Sequence, residues 1–289
     1  MSIFQRAGYS QLLLAVGALA GASAHAGDRL LATGGVTQIE GAAGGGLTPW
    51  ALIAGLGTRD QVGASGFCTT VEPDDFKLRS CGVNVGILDR VELSYAQQHF
   101  DLGTTVPGHS IRQDVFGVKV KLVGDAVFAQ DSWLPQIAIG AQYKDNKDFD
   151  FVPTLLGATD GSDVDYYVAA TKIWLAGIAG RTTLLNGTLR ATRANQMGIL
   201  GFGGDRKDDY SLQPELSAAV FLTDHIVLGA EYRMKPDNLS VFREDDFWDA
   251  FVAFVPFKNI SLTVAHADLG NIADKRQQHG WYASLKASF

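Results

Sequence analysis

The sequence predicts an all-β protein: a transmembrane antiparallel up-and-down β-barrel of about 14 strands (12–14) behind an N-terminal signal peptide. Three observations carry that expectation. Apolar and polar residues alternate with a period of two over most of the chain, short turns alternate with long polar loops, and the first 26 residues are built like an export signal.

The alternation is clearest in the last ten residues. Trp281, Ala283, Leu285, Ala287 and Phe289 share one face, and Tyr282, Ser284, Lys286 and Ser288 share the other. Successive side chains of a strand point to opposite sides, so such a stretch separates an apolar phase from a polar one. Ile226–Lys235, Leu212–Leu222, Val115–Leu122 and Val91–Ala96 repeat the pattern. Strands are expected at 30–40, 50–57, 61–71, 76–88, 91–102, 111–123, 133–144, 164–177, 182–196, 211–222, 226–236, 247–257, 260–270 and 280–289. The range of the count reflects residues 27–49, whose glycines suit either a first strand or an interior segment.

A soluble β-sandwich also alternates, and turn lengths separate the two. The tight connections Leu88-Asp89-Arg90, Leu222-Thr223-Asp224-His225 and Phe257-Lys258-Asn259 alternate with longer polar stretches at 103–110, 145–163, 197–210, 237–246 and 271–279. Short turns on one rim and long loops on the other mark outer-membrane barrels. Aromatic residues near the strand ends (Trp50, Trp133, Tyr143, Tyr166, Trp248, Phe257, Trp281 and Phe289) fit interfacial anchors.

Export follows from the N-terminus. Arg6 supplies the positive charge, Leu12–Ala22 the apolar core, and Ala24-His25-Ala26 an A-x-A cleavage site. An apolar run of about 11 residues is well short of the roughly 20 that cross a bilayer as a helix. The domain plan is therefore a signal peptide at 1–26 and a single barrel domain at 27–289. The expected address is the bacterial outer membrane, with lipid and lipopolysaccharide as surroundings. The strand ending on Phe289, with Trp281 and Leu285 on its face, resembles the signal read by the barrel-assembly machinery.

Two cysteines can be placed by register. With Asp74-Asp75 at the turn between 61–71 and 76–88, Cys68 faces Cys81 and Glu72 faces Lys77. Directly opposed residues can meet the spacing of a disulfide, and the exported compartment is oxidising, so a hairpin disulfide is expected.

Several strings then look familiar: Leu31–Leu47 (LATGGVTQIEGAAGGGL), Gln98–Leu122 (QHFDLGTTVPGHSIRQDVFGVKVKL), Asn186–Gln196 (NGTLRATRANQ), Gly201–Glu215 (GFGGDRKDDYSLQPE) and Asp268–Lys275 (DLGNIADK). Together they resemble an uncharacterised family of proteobacterial outer-membrane proteins, a domain of unknown function, across nearly the whole mature chain. The resemblance implies an outer-membrane barrel and no established activity, and it supplies no catalytic residues.

The remaining chemistry is sparse. A formal charge of −7 without a dense basic block leaves no footprint for nucleic acid. His99, His109, His266 and His279 lie near Ser110, Asp101 and Asp268, but no G-x-S-x-G elbow is present, so a barrel hydrolase is the third reading. Gly44-Gly45-Gly46 and Gly201-Phe202-Gly203-Gly204 lack the phosphate-loop spacing and read as flexible loop or close backbone approach. Asp205, Asp208 and Asp209, and Glu244, Asp245 and Asp246, lack EF-hand spacing and read as hydrated loops, so neither metal nor cofactor is expected. The alternation turns Glu92, Lys119, Lys121, Arg190, Glu215, Glu231, Arg233, Lys235 and Lys286 into the lumen. Two readings of that lumen stand level: a water-filled passage whose charges select a small solute, or an interior filled by ion pairs and the glycine-rich segment. The leading function is a passive channel or uptake pore, and the second a non-conducting structural or display barrel.

Overall fold

Twelve strands, each hydrogen-bonded to its sequence neighbours, run antiparallel around one closed ring, and the last pairs with the first. The structure, a computed structural model, describes residues 35–289. The expected export signal, with Ala24 and Ala26, and the start of the strand expected at 30–40 lie outside those residues. The wall consists of β3 (Val62–Pro73), β4 (Lys77–Ile87), β5 (Val91–Asp101), β6 (Ser110–Val123), β7 (Gln136–Asn146), β8 (Ser162–Trp174), β9 (Thr183–Thr192), β10 (Ser211–Phe221), β11 (Ile226–Arg233), β12 (Phe247–Phe257), β13 (Ile260–Asp268) and β14 (His279–Ser288). A small ribbon of β1 (Val36–Thr37) and β2 (Ala43–Gly44) stands apart from the ring. Among the described residues no helix is long and apolar enough to cross a membrane.

The expected count of 14 is corrected to a wall of 12 strands. The two N-terminal ranges are the difference: residues 35–40 of the first, and 50–57, lie inside the ring. Every residue from Val36 to Gly57 is buried, so this stretch has no wet or oily side against which a period of two could develop. Its backbone groups also go elsewhere. Ala51 N–H donates to Thr171 Oγ1 at 2.8 Å and Ala54 N–H to Glu92 at 2.8 Å, where a wall strand would bond a neighbouring backbone. Trp50, expected at the membrane interface, instead donates from its indole to Ser217 within the barrel.

The wall itself follows the alternation. Leu93, Phe116, Val118, Leu189, Leu216, Leu228, Val252, Leu262, Val264 and Leu285 are exposed on the outer face. Their inward neighbours include Glu92, Lys119, Arg190, Glu215, Ser217, Thr263 and Ser284, all buried. A ring with oil-compatible residues outside and polar groups inside inverts a soluble barrel and matches lipid outside. Tyr143, Tyr166, Tyr232, Trp248 and Trp281 stand exposed near the loop-bearing rim, and Trp133 and Phe257 near the other, as two interfacial girdles require.

The rims differ as the turn lengths require, with departures on both, the eight-residue β8–β9 connection at 175–182 on the short-turn rim among them. Leu88 and Asp89, both at positive φ, make the tight β4–β5 turn, and Lys258-Asn259 makes the β12–β13 turn. The β6–β7 connection on this same rim runs through 124–135, so Trp133 belongs to a loop and not to a strand. The β3–β4 hairpin on the opposite rim is short. Within that hairpin Cys68 is registered against Cys81 and the two are joined as a disulfide, its sulfurs on the outward-facing side of the wall. Glu72 and Lys77 form the expected ion pair.

Candidate functional site

Among the described residues the lumen gathers the densest set of buried charged side chains, and residues 35–57 run through it. Glycine makes the close packing possible. A Cβ on Gly45 would fall 1.8 Å from Glu231 Oε1, so only glycine lets the backbone reach that wall carboxylate.

Near the rim of short turns, Lys119 on β6 and Glu92 on β5 form a pair with both side chains about as buried as any in the protein. Lys119 Nζ donates to the Ala43 carbonyl at 2.9 Å and the Leu52 carbonyl at 2.8 Å. Glu92 accepts from Ala43 N–H at 3.0 Å and Ala54 N–H at 2.8 Å. One wall ion pair thus holds both limbs of the interior segment. Glu231 on β11 does the same at the bend between them, accepting from Leu47 N–H at 2.7 Å and from Thr48 Oγ1 and Ser217 Oγ at 2.8 Å each. Lys286 on β14 donates to the Gly35 carbonyl at 3.1 Å. Lys121 pairs with Asp89 at 2.7 Å, close to the same rim.

Toward the loop-bearing rim the segment contributes Glu40, its only acidic residue, which is fully buried. Lys144 of β7 pairs with it, Arg233 of β11 approaches at 2.7 Å, and Arg190 of β9 lies 3.7 Å away. Two wall carboxylates share these cations: Asp165 of β8 meets Lys144 at 2.6 Å and Arg190 at 3.3 Å, and Glu215 of β10 meets Arg190 at 2.5 Å and Arg233 at 3.4 Å. Gln142 accepts from Arg190 at 2.7 Å and donates to Gln38 of the segment at 3.2 Å. Burial of charges at this density is tolerable only because each has an opposite partner and further hydrogen bonds.

The outer mouth is closed by a second element. The connection between β9 and β10 turns inward, burying Met197, Ile199, Leu200 and Phe202. Asn146 donates to the Ile199 carbonyl at 2.7 Å and Gln113 to the Met197 carbonyl at 3.1 Å. Outside the strands, Arg193 clasps the loops: it pairs with Asp163, with Asp208 at 2.7 Å and with Asp160 at 2.8 Å. Partial burial disfavours its charge, but hydrogen bonds to Asp163 and Asp160 more than offset that and raise its pKa. The Thr159 hydroxyl and Arg193 hold the Asp208 carboxyl below the usual carboxylate range. Lys235, expected within a strand, lies just past the end of β11 and pairs with Glu244 at 2.8 Å. Burial pushes the Glu244 carboxyl up against the pull of Lys235.

Each of the nine charged positions expected inside is therefore buried with a partner, and seven of them touch the interior segment or one another: Glu92, Lys119, Arg190, Glu215, Glu231, Arg233 and Lys286. The alternation missed Glu40, Lys144 and Asp165, which complete the outer network. The lone carboxylate in a glycine-rich apolar run was the available signal for Glu40.

Of the histidines considered for a hydrolase, His109 Nδ1 faces the Pro107 carbonyl at 3.2 Å. His266, on the outward face, lies tilted against Trp248 and edge-on to Trp281, and its ring stacks with that of His279 at 6.3 Å. His279 in turn lies 3.3 Å from Asp268. Most of the acidic loop residues are engaged by protein groups, with Asp205 accepting from Ser240, Asp208 from Arg193 and Asp246 from Tyr232. No metal-holding cluster occurs among the described residues.

Comparison with known proteins follows the geometry. Among solved structures, the chain is similar to the "KdgM porin", with a TM-score of 0.50, 9% identity, 78% of this chain covered and 99% of that one. It also matches the "NanC porin", with a TM-score of 0.47, 9% identity, and 78% and 98% of the two chains covered. A third match is the Acinetobacter baumannii outer membrane protein Omp33, with a TM-score of 0.39, 11% identity, and 79% and 98% covered. At 9% identity the likeness to the first of these speaks for the fold alone. No curated protein matches the chain. The family described as "Protein of unknown function (DUF3034)" matches residues 33–286, and the chain belongs to that family.

Proposed function

We propose that this member of the DUF3034 family is a Gram-negative outer-membrane barrel working as a passive channel or uptake pore for a small solute. In the described conformation residues 35–57 and the β9–β10 loop occupy the passage. One observation carries the reading: twelve strands enclose a ring of paired charges behind an outward apolar belt. Eight strands fill with wall side chains alone, whereas twelve leave room for something more, here a segment held by ion pairs and hydrogen bonds and by the apolar packing of Val36, Ile39, Leu47, Trp50 and Leu52 against the wall. The salt bridges and hydrogen bonds are the contacts that can exchange for water and solute. Lipid, lipopolysaccharide and the barrel-assembly machinery, acting on the strand ending at Trp281, Leu285 and Phe289, are the partners this reading entails.

Planar-bilayer recording of the refolded protein tests it. A barrel lacking residues 36–54 should pass a steady ohmic current well above that of the intact chain. If neither protein conducts, the pore reading fails and the second reading stands, a non-conducting structural barrel, which the filled lumen favours.

A further inference from the structure

The cluster around Glu40 divides unevenly between wall and segment. Lys144, Arg190 and Arg233 come from the wall, as do Asp165 and Glu215. The wall alone therefore carries three cations against two carboxylates, and Glu40 supplies the missing negative charge. The donors also outnumber what Glu40 uses: Arg190 Nη2 is buried with no hydrogen-bond partner, 3.7 Å from Glu40 Oε2. Arg233 reaches both Glu40 oxygens, at 2.7 and 3.4 Å, with the forked geometry that suits a planar two-oxygen anion.

We propose that Lys144, Arg190 and Arg233 form a binding site for the carboxylate of a small organic acid, and that Glu40 occupies it as a stand-in from within the chain. The inference rests on the pore reading, because the acid reaches the site through the lumen. It deepens that reading by naming the solute class. A carboxylate solute and Glu40 compete for the same donors, so the arrival of one releases the other and, with it, the segment's outer hold. A cluster serving only to brace the fold would show no such competition.

Gluconate and glucose, alike in size and differing in the carboxylate, are the probes, titrated calorimetrically into detergent-folded barrel in low-chloride buffer. Glu40→Gln should bind gluconate at least ten-fold more tightly than the intact protein and show no gain for glucose. Adding Arg233→Gln should abolish the gain. Equal gluconate affinity in the intact protein and in Glu40→Gln overturns the proposal. Should Glu40→Gln fail to fold, as judged by heat-modifiable mobility, the intact protein decides. Saturating gluconate should speed hydrogen exchange at residues 36–47 several-fold where glucose does not, and unchanged exchange overturns the proposal. Binding is read without any current, so the two ideas fail separately. A barrel that binds gluconate but never conducts sinks the pore, and one that conducts without preferring gluconate sinks the site.

Discussion

Lys119 offers the most direct test of how the interior is held. Its ammonium serves Glu92 and the carbonyls of Ala43 and Leu52, while Glu92 takes the N–H groups of Ala43 and Ala54. Lys119→Met fills the space but strands a buried carboxylate and two carbonyls. Breaking a buried pair from one side costs about 3–5 kcal/mol, because the remaining charge is left uncompensated. Adding Glu92→Gln removes that charge and keeps an acceptor for one backbone N–H. The double variant should therefore recover about 0.5–3 kcal/mol, the usual coupling between contacting groups. Urea unfolding in detergent, followed by far-UV circular dichroism and by heat-modifiable mobility, gives all four corners of the cycle. Costs that add within about 0.5 kcal/mol would refute the reasoning, as would an unmoved midpoint for Lys119→Met.

Two further outcomes are expected. The denatured, unreduced protein should bind no thiol label, and Cys68→Ser with Cys81→Ser should lower stability by about 3 kcal/mol, the scale for a loop closed over 13 residues. The loop cluster around Arg193 should respond to acid. The Asp208 carboxyl is held below its ordinary value of 3.8, so its contribution is present above that pH and lost as pH falls through the lower, folded value. Hydrogen-exchange protection factors at residues 195–204, corrected for the intrinsic pH dependence of amide exchange, should fall below about pH 4 and stay flat between pH 5 and 7, and the reverse trend would refute the assignment.

Much of the wall was legible because lipid and lumen impose opposite demands on successive residues. That is why Glu231 and Arg233, or Tyr282 and Lys286, could be turned inward from alternation alone. The register of the cysteines was readable for a related reason: a short hairpin fixes the pairing of every residue beyond it. What escaped reading has no two-sided environment. Residues 36–57 meet protein in every direction, so Ile53 and Leu52 are buried alike and no period marks the segment as wall or filling. The 197–210 stretch reads as a polar loop from its aspartates, although Met197, Ile199, Leu200 and Phe202 are apolar and fold back into the mouth. Lys144 and Asp165 lay on expected strands, but their importance depends on Glu40, which no strand pattern could place.

The path of the interior segment has a topological consequence. Gly35 meets Lys286, and Leu56 N–H bonds the Phe289 carbonyl, so both ends of the described stretch 35–57 lie at the mouth bearing the short turns. Between them the chain enters and returns on one side, a re-entrant stopper seated from a single rim.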